Sequence, residues 1–374
     1  MRGKVSNMFN KIKGKLGFGC MRLPMTGDLV DKETFNDMID AYMDAGFNYF
    51  DTAHGYIAGK SEKAIGECLS ERYNREEFVL ANKISYWWIK EEKDVIPYFE
   101  NQLKSCGVEY FDFYLLHSVN REGYEKYIEF NTFNILKKLK EQGKIKHIAI
   151  SFHDTAELLD MVLKKHPCIE AVQLQINYMD YDDPTVQSKA CYDVAVKHGK
   201  KVIVMEPVKG GALANLPEEA VALLRKLGTG SQASFALRYA ASYPEVFMVL
   251  SGMGNIKMME DNIKTFKNFT PVDEKEIQTF DRIRKILRET NQISCTKCNY
   301  CSEVCPFQIP ISEMFNIYNN LMGGKESYWD TKEKLEVYRG KIEKCVKCGK
   351  CEKNCPQSIK IREYLEKIEK IING

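Results

Sequence analysis

Short β-branched or aromatic runs alternate, over the first 270 residues, with longer stretches whose apolar residues recur at helical spacing. Most of the runs begin about thirty residues apart, which is the length of one strand-and-helix unit. Strands and helices that alternate over about 250 residues are typical of a parallel (β/α)8 barrel, or TIM barrel, and we predict this α/β fold for residues 1–270. The eight runs predict strands at Leu16–Met21, Phe47–Thr52, Phe78–Lys83, Phe111–His117, Ile145–Ser151, Ala171–Asn177, Lys201–Met205 and Val246–Ser251.

A doubly wound open sheet is the main alternative to the barrel, because it also alternates strands with helices. Such a sheet, when it binds a dinucleotide, carries a GxGxxG loop after its first strand. The sequence reads GFGCMR at residues 17–22, which does not match that loop. The barrel is therefore preferred. Helical spacing predicts, among other helices, Ser61–Tyr73, Phe130–Gln142 and Ser312–Leu321.

The composition is that of a folded chain with little overall charge. Of the 374 residues, 44% are hydrophobic and 28% are charged, which allows a sizeable core and excludes a disordered chain. The 54 basic residues nearly balance the 52 acidic ones, so no global field favours nucleic acid or an anionic membrane. No apolar run is long enough to span a bilayer, and the basic segment 1–19 lacks the apolar stretch of a secretory signal. We expect a cytoplasmic protein without a nucleic-acid or membrane partner.

Thirteen cysteines are distributed unevenly along the chain. Five are scattered before residue 290 without ligand-like spacing, and we expect them to be buried as small apolar side chains. The other eight lie between residues 295 and 355, where a large chain without an export signal favours metal binding over disulfides. The change in character predicts three parts, namely the barrel at 1–270, a helical connector at 271–290 and a cysteine-rich domain at 291–374.

The cysteine-rich domain contains the motif CxxCxxCxxxCP twice, at residues 295–306 and 345–356. Four thiolates at this spacing can bind a [4Fe–4S] cluster, and in two-cluster ferredoxins the fourth cysteine of each run ligates the other cluster. Two CxxC pairs could instead hold zinc, but the doubled motif favours clusters. The helical stretch between the motifs resembles the α-helical ferredoxin modules appended to larger redox enzymes. We therefore assign one cluster to Cys295, Cys298, Cys301 and Cys355, and the other to Cys345, Cys348, Cys351 and Cys305.

The ends of four predicted strands carry polar side chains that could share one active site. Asp51, Lys83, His117 and Ser151 lie at these ends, and Tyr56 follows Asp51 on the next loop. The carboxyl ends of barrel strands form the face that carries the active site. A tyrosine has a pKa of about 10, but a neighbouring ammonium, held by a carboxylate, stabilises its phenolate. A histidine can then orient a carbonyl oxygen, so the set suits reversible carbonyl reduction with hydride supplied from elsewhere.

The stretch FDTAHGY at 50–56, then Lys83, then LLHS at 115–118, resembles the aldo-keto reductase superfamily over residues 14–268. The resemblance implies a (β/α)8 barrel that binds a nicotinamide cofactor without a Rossmann fold. It implies Tyr56 as the proton donor, Asp51 and Lys83 as the residues that tune it, and His117 as the residue that orients the carbonyl. The whole chain is similar to aldo-keto reductases that carry an appended ferredoxin-type domain with two [4Fe–4S] clusters.

The resemblance also implies a set of cofactor contacts. Ser151 and Gln173 match the residues that hold the nicotinamide carboxamide, and Asn177 follows in the same segment. Phe152 stands where the family usually has an Asn that contacts the nicotinamide. Met258 stands where many NADPH-dependent members have a basic residue, so the choice between NAD and NADP stays open. The other implied contacts are Glu206 and Pro207 near the nicotinamide, Gly211 and Leu213 near the pyrophosphate, Ser251, Gly252 and Met253 after the eighth strand, and Asp261 and Asn262 near the adenine.

Together these features predict an NAD(P)-dependent oxidoreductase that interconverts a small-molecule carbonyl and an alcohol. Its two clusters would transfer electrons, with a ferredoxin-like protein as redox partner. Alternatively, the clusters are mainly structural and order the C-terminal domain, while the barrel performs ordinary carbonyl chemistry. Tyr86, Trp87 and Trp88 follow Lys83 and could cover the substrate pocket. A hydride carries two electrons whereas each cluster accepts one, so a flavin in the barrel is an alternative mediator, although no flavin motif is present. A further alternative is a cofactor-sensing or electron-transfer subunit of a larger redox assembly with little carbonyl reductase activity.

Overall fold

The computed structural model describes residues 9–290 and 292–374. The segment 1–19, for which the sequence predicts no secretory signal, therefore lies partly outside the described residues. Eight parallel strands close into a barrel in which each strand pairs with the next along the chain and the eighth pairs with the first. The predicted (β/α)8 barrel is therefore confirmed. The strands are β1 (Leu16–Gly19), β2 (Tyr49–Asp51), β3 (Val79–Ile84), β4 (Phe111–Val119), β5 (Ile145–Phe152), β6 (Ala171–Gln175), β7 (Lys201–Met205) and β8 (Val246–Ser251).

Helices follow the barrel strands and continue through the cysteine-rich region. Short 3-10 segments lie at Tyr86–Trp88, Glu92–Asp94 and Lys209–Ala214. The α-helices are α1 (Lys32–Asp44), α2 (Lys60–Ile65), α3 (Val95–Cys106), α4 (Arg121–Glu129), α5 (Thr132–Glu141), α6 (Ala156–Lys165), α7 (Ser188–Lys197), α8 (Glu218–Arg225), α9 (Gln232–Ala241), α10 (Ile256–Lys267), α11 (Glu274–Glu289), α12 (Tyr300–Glu303), α13 (Ile311–Met322), α14 (Tyr328–Glu336), α15 (Arg339–Ile342), α16 (Lys350–Lys353) and α17 (Ile361–Asn373).

The helix predicted at Ser61–Tyr73 differs from the observed structure. It consists of α2 followed by a π-helical turn at Gly66–Ser70. A Cβ on Gly66 would lie 2.7 Å from the carbonyl oxygen of Ser105, so the missing side chain lets α3 approach this turn closely. A two-stranded hairpin, Met25–Thr26 with Leu29–Val30, was not predicted, because each of its strands is only two residues long.

The barrel interior is filled by side chains from successive strands. Large rings of Tyr49 and Phe113 lie with small residues such as Ala149 and Ala171 in one buried cluster. Combining large and small side chains fills a narrow barrel without voids. The polar residues considered below lie at the carboxyl ends of these strands, beyond this apolar filling.

The chain divides into two compact units, of which the first carries the barrel strands and the second carries both cysteine motifs. The second unit comprises residues 183–186, 208–233 and 272–374. Its helices pack around a buried apolar cluster that includes Met314, Phe315, Leu365 and Ile368. The boundaries predicted at 1–270, 271–290 and 291–374 stay predictions. Among the described residues, no helix has both the length and the apolar character needed to cross a membrane.

Candidate functional site

The centre of the candidate active site is a buried ion pair. Asp51 is the last residue of β2, and Lys83 lies at the carboxyl end of the neighbouring strand β3. The Lys83 Nζ donates to Asp51 Oδ1 at 2.5 Å and to the carbonyl oxygen of Thr52 at 2.9 Å. The two charged side chains are only 1% and 2% exposed. The buried carboxylate fixes the ammonium at one position at this end of the barrel.

Tyr56 and His117 lie beside this pair. The Lys83 Nζ is 4.8 Å from the centre of the Tyr56 ring, and the ring centres of Tyr56 and His117 are 6.1 Å apart. Burial is the main cause that raises the pKa of Tyr56 well above its ordinary value, with the nearby charges of Asp51 and Glu206 adding to it. The phenol therefore keeps its proton and can act as a donor.

Two opposing effects act on the pKa of Lys83. Burial lowers the pKa of Lys83, and the adjacent Asp51 carboxylate opposes that effect.

The guanidinium of Arg22 lowers the pKa of Tyr56, against the stronger effect of burial. Arg22 was not among the predicted site residues, because its place on the loop after β1 gives no motif.

The surroundings of His117 favour its neutral form. Burial is the first cause that lowers the pKa of His117 well below the usual range, and the nearby Lys83 and His153 add to it. Its Nδ1 lies 2.8 Å from Ser85 Oγ, and its ring centre is 5.5 Å from that of Trp87. A neutral imidazole in this place can donate a hydrogen bond to a carbonyl oxygen without adding a charge. Ser85 and His153 were not predicted as site residues, although each lies two residues beyond a predicted strand end.

A buried hydrogen-bond network around Glu62 contacts the backbone of Lys83. Glu62 is 1% exposed and accepts hydrogen bonds from Asn82 Nδ2 at 3.0 Å and Gln102 Nε2 at 2.8 Å. Gln102 Nε2 also lies 3.0 Å from the carbonyl oxygen of Lys83. The second Glu62 oxygen lies 3.0 Å from Nδ1 of His54, on the loop between Asp51 and Tyr56. The network thus ties the Lys83 backbone to that loop, and sequence spacing alone does not reveal it.

The residues matched to the nicotinamide carboxamide are neighbours in the sheet. Ser151 on β5 pairs in register with Gln173 on β6. Gln173 Oε1 is buried and has no hydrogen-bond partner among the described residues. A buried acceptor without a partner carries a free-energy cost that a carboxamide N–H could remove. The pair therefore fits a nicotinamide at this position.

Asn177 has a different environment from Gln173. Its Nδ2 donates to Asp180 Oδ2 and to the carbonyl oxygen of Glu206, both at 3.0 Å, and its Oδ1 accepts from the backbone N–H of Met179 and Asp180. These contacts brace the loops after β6 and β7. Glu206 has a φ of 53°, which places the residue before Pro207 in the left-handed region.

The remaining predicted cofactor residues fall in both compact units. Asn262 on α10 donates to Ser251 Oγ at 2.8 Å, which links that helix to the end of β8. Gly252 and Met253 follow Ser251, and Met253 is fully buried. Gly211, with a φ of 94°, and the buried Leu213 belong to the second unit, whereas Pro207 and Asp261 belong to the first.

The cysteines of the second predicted cluster surround one cavity. Cys305, Cys345, Cys348 and Cys351 all line one cavity that is partly open to solvent. They are the set expected from the crossed ligand pattern, with Cys305 contributed by the other motif. Among the described residues, no three His, Cys, Asp or Glu side chains converge closely enough to hold one metal ion. Four thiols that line one cavity can ligate a [4Fe–4S] cluster.

Three cysteines of the first predicted set, Cys295, Cys301 and Cys355, lie near one another. Burial is the main cause that raises the pKa of Cys301 to about 12, and the nearby thiols of Cys295 and Cys355 add to it. Cys301 is buried in the apolar cluster of the second unit, and Cys295 and Cys355 pack against that cluster. Cys355 and Cys351 of the second motif both act on Cys301, so the division of the cysteines between the two clusters stays a prediction.

The five cysteines before residue 290 are buried or half-buried and free. The sequence prediction treats them as small apolar side chains, and burial is the first cause that raises the pKa of Cys20, Cys106 and Cys191. Raised thiol pKa values leave these side chains neutral at physiological pH.

Comparison with known proteins identifies both parts of the chain. Residues 15–285 match the model of the aldo/keto reductase family, and the chain belongs to that family. Residues 294–359 match the 4Fe-4S dicluster domain. These matches confirm the family resemblance and the predicted iron–sulfur domain. The chain is an oxidoreductase of this family that carries a 4Fe–4S dicluster domain.

Individual relatives are distant. An uncharacterised oxidoreductase of Bacillus subtilis is 22% identical over 71% of this chain and 90% of its own length. The holo form of an aldo-keto reductase from Bacillus halodurans has a TM-score of 0.60 at 24% identity, covering 72% of this chain and 91% of the other. An aldo-keto reductase from Klebsiella pneumoniae in complex with NADPH has a TM-score of 0.57 at 18% identity, covering 72% and 90%. At these identities the solved structures show a shared fold.

Proposed function

We propose that this protein reduces a small-molecule carbonyl to an alcohol, and catalyses the reverse reaction, with a nicotinamide dinucleotide as hydride carrier. The observation that carries the proposal is the buried Asp51–Lys83 pair with Tyr56 and His117 beside it. Membership of the aldo/keto reductase family supports the same reaction class.

Each residue of the set has a distinct task in this reaction. His117 donates a hydrogen bond that orients the carbonyl oxygen of the substrate. As that oxygen gains negative charge, Tyr56 transfers its phenolic proton to it. The Lys83 ammonium stabilises the phenolate that forms, and Asp51 holds the ammonium in place. A bound nicotinamide supplies the hydride that the carbonyl carbon receives.

Ser151 and Gln173 are proposed to hold the nicotinamide carboxamide, with Gln173 Oε1 as acceptor. The Klebsiella relative binds NADPH, which supports a dinucleotide here. The choice between NAD and NADP rests on the region around Met258, where Lys257 is the nearby basic residue. The remaining proposed contacts are Asn177, Glu206, Pro207, Gly211, Leu213, Ser251, Gly252, Met253, Asp261 and Asn262.

The second part of the proposal concerns electron transfer. Two [4Fe–4S] clusters, ligated in the crossed pattern given above, are proposed to exchange single electrons with a ferredoxin-like protein. Eight cysteines and the match to a dicluster domain support this. Cluster potentials span about −700 to +450 mV, so the direction of flow is set by the partner and the substrate.

A single substitution tests the carbonyl chemistry. Tyr56→Phe removes the proton donor and should lower carbonyl-dependent oxidation of NAD(P)H by about 10²- to 10⁴-fold, with iron content unchanged. Tyr110→Phe is the matched control, because its hydroxyl contacts Lys11 and Glu76 instead of this site. Both variants are purified anaerobically. Undiminished turnover in Tyr56→Phe would contradict the proposal, and a dinucleotide that binds without turnover in the wild type would favour a cofactor-sensing subunit.

A further inference from the structure

The two cysteine motifs differ strongly in charge. Residues 341–362, which contain the second motif, include seven basic and two acidic residues. Residues 292–310, which contain the first, include one of each. All seven basic side chains of the second segment are exposed. The whole chain is nearly neutral, so this positive charge is a local feature.

Three of these seven basic residues lie at the cavity of the second cysteine set. Lys347, Lys350 and Arg362 line this cavity together with its thiols. Lys347 is paired with Glu366 at 2.7 Å, and Arg362 with Glu352 at 2.6 Å. The amino group of Lys350 has no ion pair among the described residues, and neither has that of Lys353. Their charges are therefore available to a partner.

Apolar side chains lie within the same region. Val346 is 63% exposed and Phe307 is 36% exposed, and both line the cavity. Cys348, also on this cavity, is the exposed cysteine among those described. An exposed apolar centre with basic residues beside it has the composition of a small docking surface.

We propose that Phe307, Val346, Lys347, Lys350 and Lys353 form a docking surface for an acidic one-electron carrier protein. The inference rests on the proposed function, since it requires a cluster in this cavity. Positive charge raises the encounter rate with an acidic partner, and a small apolar centre allows a short-lived complex. In each encounter one electron leaves the reduced centre of the carrier, which is oxidised, and enters the cluster, which is reduced, with no proton or bond exchanged.

Two double variants test the surface in the full-length protein with its clusters. Lys350→Glu with Lys353→Glu reverses the charge at the proposed site. Lys275→Glu with Lys285→Glu makes the same change of charge at exposed lysines of α11. Cluster absorbance and iron content are measured first. A wild-type protein without clusters would overturn the proposed function. If the wild type and both double variants contain intact clusters, the later measurements test docking alone.

The probes are a reduced acidic plant-type ferredoxin and dithionite. At low salt, the ferredoxin should reduce the clusters about tenfold more slowly in the Lys350/Lys353 variant, and calorimetry with oxidised ferredoxin should show a matching loss of affinity. The α11 variant should resemble the wild type, and the wild-type rate should fall with rising ionic strength. Reduction by dithionite should change less than twofold. The docking surface would be overturned if the rate of reduction by ferredoxin fell equally in both variants, or if the rate of reduction by dithionite fell as much as the rate with ferredoxin. A wild-type rate that does not depend on salt would also overturn it.

Discussion

The backbone of Gly210 lies directly against Thr296, between the first two cysteines of the first motif. A Cβ built on Gly210 would be 2.5 Å from Thr296 Cα and 2.7 Å from its carbonyl carbon, and Gly210 has a φ of 62°. Both residues belong to the second compact unit. The segment that follows β7 is thus packed against a cluster-binding segment at a place where only glycine fits.

We predict that Gly210→Ala destabilises the second unit and loosens the first cluster. The substitution combines backbone strain with overlap against Thr296, and a loss of about 1–3 kcal/mol is expected. Gly211→Ala is the matched control, because Gly211 also has a positive φ but has open space at its Cβ. Thermal unfolding and iron retention on dilution measure the effect. Equal behaviour of the two variants would show that the contact with Thr296 contributes nothing.

Removing one member of the buried ion pair should be more harmful to stability than removing both. Lys83→Met leaves Asp51 as an unpaired buried charge, which costs about 3–5 kcal/mol. Lys83→Met combined with Asp51→Asn should regain most of that stability, as measured by urea unfolding. Neither variant should recover carbonyl reduction, because the ammonium beside Tyr56 is absent in both. Recovery of turnover in the double variant would contradict the role given to Lys83.

The crossed ligand pattern predicts which variants resemble one another. Cys305→Ala and Cys345→Ala should each lose the same cluster, so that iron falls from about eight to about four atoms per chain and the same cluster signal remains in electron paramagnetic resonance. Cys301→Ala and Cys355→Ala should retain the other signal. A Cys305 variant that instead resembles the Cys301 variant would show that each motif binds its own cluster. If an alanine variant loses all its iron, the serine variant at the same position is compared instead, because its side-chain oxygen can still act as a ligand.

Stability should fall as the pH is lowered from about 6.5 towards about 4. Burial lowers the pKa of His153 to about 4 and that of His117 well below its usual range. An unfolded imidazole has a pKa of about 6.5, so in this window the unfolded chain binds protons that the folded chain does not, which favours unfolding. His153→Asn should flatten the dependence between pH 7 and pH 5 in urea unfolding. A slope equal to that of the wild type would rule out His153 as a contributor.

The sequence predicts the central residues of the candidate site because parallel strands align their ends. Asp51, Lys83 and His117 each lie at the carboxyl end of a strand, so recognising the strands is enough to predict that the three side chains meet. The spacing of the cysteine motifs similarly predicts the two thiol groups. These predictions need only local patterns and one rule of topology.

Other features depend on packing between distant segments. Glu62 and Gln102 meet behind Lys83 only because α2 and α3 lie together, and neither position carries a motif. The π-helical turn at Gly66–Ser70 likewise reflects the approach of α3 to Gly66. The charges of Arg22 and Glu206 act on Tyr56 from loops after β1 and β7, which no spacing in the sequence connects.

The sharing of one cavity by Cys305 and three cysteines of the second motif has a consequence for biosynthesis. While the ribosome is still making the chain, the first motif emerges without the partners that would complete either thiol set. In the proposed crossed pattern, neither cluster would be fully ligated until cysteines of the second motif have left the exit tunnel. Cluster completion would then be a late event in the synthesis of this polypeptide, and the nascent barrel would have an interval in which to fold before either cluster is complete.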